Sequence, residues 1–191
     1  MALGIYRTKL VSGLFICAAV VCLLVTTGSV MAPPEKHPKM QVTSNAFRDG
    51  QPIPSRYTCD DKNISPALTW TGAPTGTSSL ALIVDDPDSP TGVWTHWVVF
   101  NIPGNGSELA EDAAKSKTDS ANFIEGLNDF KKIGYGGPCP PAGKLHRYYF
   151  KVFALDTTLN LPSGASRQAV EAAMTKHILA QGQLMGTYQR K

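Results

Sequence analysis

Residues 82–103 read LIVDDPDSPTGVWTHWVVFNIP. Two runs rich in β-branched and aromatic side chains flank a turn that carries Asp85, Asp86 and Asp88 together with Pro87 and Pro90. Such runs suit a pleated, partly buried surface, and the residues between them are turn formers. Asp86 stands where the first run stops, and Trp94 and His96 stand where the second begins. Strand margins beside loops are where a rigid scaffold offers side chains to a ligand. This segment therefore sets the fold class and also marks the place to look for function.

The same rhythm continues to either side. Turn residues recur about every ten positions between apolar runs, the pattern of a β-rich single domain. Strands are expected at 65–70, 79–84, 96–102 and 146–155, the last reading HRYYFKVFAL. In a strand that begins at His146, residues 146, 148, 150 and 152 share one face; His96, Val98 and Phe100 likewise share one, with Trp97 opposite. Residues 104–119 are polar and Ala-rich and read as a short surface helix, while 122–143, rich in Gly and Pro, reads as loop. A loop of that length inside a domain is usually functional or disordered. At 167–181 the period changes: Val170, Met174 and Ile178 lie four apart, which predicts an amphipathic helix capped by Ser166 or Ser163 and stopped near Gly182. His177 falls beside its apolar stripe and is assigned to packing.

The first residues obey other rules. Arg7 and Lys9 precede an almost unbroken apolar stretch at 10–25, a basic region followed by a hydrophobic one, as in an export signal. Residues 1–32 are read as a signal peptide or, if uncleaved, as an N-terminal membrane anchor, since the stretch approaches the roughly 18 apolar residues of a candidate span. Residues 33–40 (PPEKHPKM) read as a polar linker, mobile or extended, and 41–191 as the domain. The expected location is outside the cytoplasm: periplasmic, secreted or anchored on the outer side of the membrane, with membrane contact only through the N-terminal segment. Without Arg7 and Lys9, 16 of the 18 basic residues remain against 15 acids, so the domain is nearly neutral. No basic run interleaved with aromatics appears, which argues against a nucleic-acid partner. Two cysteines remain, Cys59 and Cys139, 80 positions apart. In an oxidising compartment they either pair, contributing about 4 kcal/mol in the chain-entropy model, or stay as separate buried thiols.

Two imidazoles, one carboxylate and one phenol sit at strand ends or starts. If these strands are neighbours, Asp86, His96, His146 and Tyr148 line one pocket suited to an anionic or phosphorylated small molecule. Imidazole and phenol hydroxyl are donors, and the acid fixes a histidine tautomer. Taken singly, each histidine is as readily a strand-end residue satisfied by local hydrogen bonds.

Four ordered motifs strengthen the pocket reading. Asp86-Pro-Asp-Ser-Pro90, Trp94-Thr-His96, Gly137-Pro-Cys-Pro-Pro141 and His146-Arg-Tyr148 occur in the order and rough spacing of the phosphatidylethanolamine-binding protein family. The stretches YTCDDKNISP (57–66), GYGGPCPP (134–141) and LAQGQLMGTY (179–188) resemble its bacterial, Raf-kinase-inhibitor-like branch, and the likeness spans about residues 47–190. The resemblance implies a mainly β fold, with a large antiparallel-rich sheet packed on a smaller one and peripheral helices including a C-terminal helix. It implies that Asp86, His96, His146 and Tyr148 line the family's anion pocket, with Trp94, Pro140 and Pro141 as walls. A cis Ser89–Pro90 bond is also implied. Eukaryotic members have glycine where Cys139 falls and a longer C-terminal segment, so lipid-headgroup and kinase binding do not carry over directly.

The function expected on these grounds is ligand binding without catalysis, cofactor or metal, with regulation of a partner protein as an extension. The alternatives are a metal-dependent or acid/base hydrolase built on the same Asp/His/His cluster, and a peptidase inhibitor acting through a surface loop. No HxxxH or HxH spacing and no GxSxG elbow supports the hydrolases.

Overall fold

Strand β3 (Ser79–Asp86) is buried along its whole length and forms the spine of the domain. Five strands make the larger sheet, in the order β6–β4–β3–β7–β8, with every neighbouring pair antiparallel. They are β3, β4 (Trp94–Pro103), β6 (Ile124–Glu125), β7 (Leu145–Leu155) and β8 (Ile178–Gln189). A smaller sheet of β1 (Gln41–Thr43), β2 (Leu68–Thr71) and β5 (Glu108–Leu109), in the order β1–β2–β5, covers one face. The computed structural model describes residue 1, residues 37–113 and residues 122–191. Apart from Met1, the signal or anchor expected at 1–32 lies outside the described residues, as do 33–36 of the linker. Among the described residues no helix is long and apolar enough to cross a membrane.

Because strand side chains alternate, the large sheet has two buried faces and the domain two cores. Leu80, Leu82, Val84, Phe150 and Val152 pack with Val42, Leu68 and Trp70 of the small sheet. Ala81, Ile83, Val98 and Phe100 pack on the other side with Val170 and Met174 of helix α1 (Arg167–Met174). Asp85 enters this second face, 1 % exposed, and accepts a 2.8 Å hydrogen bond from Lys151 Nζ. The domain thus has the two sheets and the peripheral helix that the resemblance implies.

Several expectations are corrected. The helix expected over 167–181 ends at Met174, and the chain closes on strand β8 instead of a helix. The N-cap expectation holds at one of its two candidates: Ser166 Oγ accepts from Ala169 N–H. The apolar stripe supports only two turns, after which β8 pairs with β7 from Leu155↔Ile178 to Leu145↔Gln189. Continuous ladder pairing satisfies backbone groups that a short helix would leave at its end. Gly182 sits inside β8, where a Cβ would come within 2.3 Å of the Met40 carbonyl oxygen, so a side chain there would push the two backbones apart. His177 lies after the helix, half-exposed, with Nδ1 2.7 Å from Asp156 Oδ1.

The helix expected over 104–119 is also replaced. Residues 104–107 turn into β5, 111–113 form a further turn, and 114–121 lie outside the described residues. Within 122–143, β6 adds an edge strand to β4, and the remainder is loop. The end of the expected linker is part of the domain: Met40 is buried, and its N–H donates to the Gln181 carbonyl at 2.8 Å. The Ser89–Pro90 bond is trans, the form an X–Pro bond favours by about 0.5–1 kcal/mol.

Candidate functional site

Antiparallel pairing brings three strand ends together. Asp86 closes β3, Trp94 opens β4 directly opposite it, and β7 flanks β3 on the other side, with Tyr149 opposite Asp85. Asp86 and His146, 60 positions apart in the chain, meet here: His146 Nδ1 lies 2.7 Å from Asp86 Oδ2. A carboxylate only accepts, so His146 donates through Nδ1–H and its Nε2 stays available. The other carboxylate oxygen accepts from Asp88 N–H at 2.8 Å, which folds the DPD turn back on Asp86.

His96 reaches the same place by a β-bulge. Val84 pairs with Trp97 and Asp85 with Thr95, so His96 is an extra residue on β4. The bulge interrupts the alternation, and His96 and Trp97 both turn to the small-sheet side. This corrects the expected arrangement, in which His96 shares a face with Val98 and Phe100 and opposes Trp97. Val98 and Phe100 belong to the helix-side core, Trp97 to the other. Bulges are common beside functional sites because they re-aim a side chain in this way.

A cleft of about 210 Å³ opens over these residues. Asp86, Trp94, His96, His146, Pro140 and Pro141 all line it. Tyr148 is not in the lining itself; its ring packs edge-on against His96 at 5.1 Å between centroids, with its hydroxyl beside the lining carboxylate Asp86. Asp86, His96 and His146 are each no more than 3 % exposed, and Tyr148 is fully buried. Two donors in this group, Trp94 Nε1 and the Tyr148 hydroxyl, are buried without a hydrogen-bond partner among the described residues. Burial first, and then the charge of Asp86, pushes the Tyr148 phenol well above its ordinary range, so it keeps its proton. Burial lowers the His96 pKa, opposed by the Gly136 carbonyl and the Asp86 charge.

The Gly- and Pro-rich loop within 122–143 supplies the rest of the wall. Gly136 accepts from His96 Nδ1 at 2.6 Å and returns its N–H to the His96 carbonyl at 2.9 Å. Phe130 stacks edge-on against both His96 and Trp94, with centroids 5.4 Å away in each case. Sequence reading missed Phe130, since a lone aromatic among Asn128, Asp129, Lys131 and Lys132 carries no signal of its partners. The glycines were legible as a loop but not as a close approach. A Cβ on Gly136 would fall 2.5 Å from the Phe130 ring, and one on Gly137 2.4 Å from the Tyr57 carbonyl oxygen. Cys139 lines the cleft and is bonded to Cys59, with Cα atoms 5.4 Å apart. The bridge ties the Pro140–Pro141 wall to the loop that begins at Thr58. Among the described residues, no three His, Cys, Asp or Glu side chains are grouped so as to hold a metal ion.

Asp88, one of the three acids of the turn, locks it to β7. Its oxygens accept from Arg147 Nε at 2.8 Å, Arg147 Nη2 at 2.7 Å and the Arg147 backbone N–H at 2.9 Å. The guanidinium lowers the Asp88 pKa to about 2. A carboxyl whose folded pKa lies below its unfolded value of about 3.9 adds stability above about pH 4 and loses it as the pH falls through about 2. Half the Arg147 side chain is exposed, so solvent screening cuts the effect well below the full shift. Asp88→Asn is expected to flatten the acid limb of the stability profile between about pH 4 and pH 2. Urea melts of both proteins across that window test this, and superimposable limbs would remove the lock.

Comparison with known proteins agrees with this architecture. The sequence profile of the family described as phosphatidylethanolamine-binding protein matches residues 43–189. A UPF0098 protein of Methanothermobacter thermautotrophicus is 50% identical over 151 residues, covering 79% of this chain and 99% of its own. One from Aquifex aeolicus is 52% identical over 153 residues, covering 79% and 89%. The crystal structure of a putative phosphatidylethanolamine-binding protein homolog from Chlamydia trachomatis superimposes with a TM-score of 0.73 at 42% identity, over 80% of this chain and 99% of that one. The E. coli protein YbcL gives the same TM-score at 37% identity and the same coverage. The archaeal relative corrects the expectation of a purely bacterial branch, because half its residues match across the domain. By profile, relatives and fold together, the chain belongs to the phosphatidylethanolamine-binding protein family.

Proposed function

We propose that the cleft at the ends of β3, β4 and β7 binds a small anionic or phosphorylated molecule. The observation that carries this reading is the pair of buried donors without partners, Trp94 Nε1–H and Tyr148 O–H, beside the Asp86–His146 pair and His96. A buried donor left unpaired costs about 1–3 kcal/mol, a cost that a ligand acceptor would offset. The disulfide and the export-type N-terminus support a site of action in an oxidising compartment.

The cleanest test is Tyr148→Phe, which removes a hydroxyl that has no partner to lose. Stability in urea should be unchanged or slightly raised. Affinity for inorganic phosphate should fall by roughly 1.5–3 kcal/mol, the range for a hydrogen bond to a charged group. Equal affinity in both proteins would remove the assignment, and Asp86-dependent turnover of a phosphoester would replace binding by catalysis. His146→Ala is a poorer probe because it strands the buried Asp86 carboxylate.

A further inference from the structure

Among the described residues, the cleft lining contains one carboxylate, Asp86, and neither lysine nor arginine. Two neighbouring cations are committed elsewhere: Arg147 to Asp88, and Arg190, whose Nη1 lies 4.0 Å from Cys139 Sγ, to Asp60. Nothing in the lining therefore carries a permanent positive charge against an incoming anion. His96 adds a second constraint. Its Nδ1 lies 2.6 Å from a carbonyl oxygen, which can only accept, so the ring proton sits on Nδ1. In the neutral ring, which burial favours, Nε2 then offers a lone pair and has no proton to give. The charged and titratable groups around this ring are Asp85 and Asp86 of β3 and Tyr148 of β7, with His146 also lining the cleft.

We propose that the cleft selects an oxyacid group that keeps a proton of its own, a monoanionic phosphate or phosphomonoester, over dianions and polyphosphates. The inference rests on the anion-binding reading above and narrows it. The ligand's O–H donates to His96 Nε2, and its remaining oxygens accept from Trp94 Nε1–H and Tyr148 O–H, the two donors without partners. A dianion would set lone pair against lone pair at Nε2 and add a second charge beside Asp86, with no permanent cation in the described lining to offset either.

Calorimetric titration with methyl phosphate and with sulfate tests this. The second pKa of a phosphomonoester is about 6, whereas sulfate carries no proton anywhere near neutrality. At about pH 5.5 methyl phosphate should bind at least ~10-fold more tightly than sulfate, and its affinity should fall roughly tenfold per unit above about pH 6. The sulfate series supplies the part of the change that belongs to the protein's own histidines. In the free protein at neutral pH, ¹⁵N NMR should show His96 Nε2 as an unprotonated nitrogen. Equal binding of the two anions, parallel pH profiles, or a protonated Nε2 would each overturn this inference while leaving an anion site standing. Failure of both anions to bind would overturn the anion-binding reading and this inference together.

Discussion

Phe150→Ala is expected to lower the unfolding free energy by about 3–5 kcal/mol, the usual cost of emptying a large aromatic site in a packed core. Phe150 has no exposed surface, stacks at 5.6 Å on Phe47, and sits on β7 between Val84 and Leu184 of the adjoining strands. It therefore joins the large sheet to the N-terminal segment that covers it. Phosphate affinity should change far less than in Tyr148→Phe, because Phe150 is two residues deeper along the face that bears the phenol. Urea unfolding at constant slope measures the loss, and a change under about 1 kcal/mol would mean the site collapses around the deletion.

Replacing Cys59 and Cys139 together by serine should cost a similar amount, about 4 kcal/mol, because the bridge closes a loop of 80 positions in the unfolded chain. For a domain of this size that corresponds to a fall in Tm on the order of 10 °C. Phosphate binding should weaken as well, since Cys139 lines the cleft and the bridge restrains the Pro140–Pro141 wall. The same loss should follow reduction of the native protein by dithiothreitol. A Tm within about 2 °C of wild type would show that the reduced chain already holds these loops together.

Much of the fold was legible because its strands announce themselves. The run at 79–84 is apolar almost throughout, and the run at 146–155 is dense in aromatic residues. Residues 167–189 were not, and the reason is physical. Val170, Met174 and Ile178 satisfy a helical period, but Ile178 begins a strand whose conformation is imposed by β7 alongside it. Local periodicity carries no information about a ladder whose other half lies elsewhere in the chain, as Leu155 does for Ile178. His96 illustrates the same limit within the site. Its face depends on which residue of β3 it fails to pair with, and that register exists only once β3 and β4 are together.

Residue types, motif order and the turn after β3 were enough to choose Asp86, His96, His146 and Tyr148 as a group. They state which chemistry is on hand, and that chemistry is written one residue at a time. Tertiary packing decided how it is deployed: Asp86 is spent on His146, the Gly136 carbonyl puts the His96 proton on Nδ1, Phe130 closes one wall, and Tyr148 packs edge-on against His96 with its hydroxyl unpaired among the described residues. Each of those outcomes depends on atoms brought together across tens of positions, by the burial of two apolar faces rather than by any preference of the polar residues themselves.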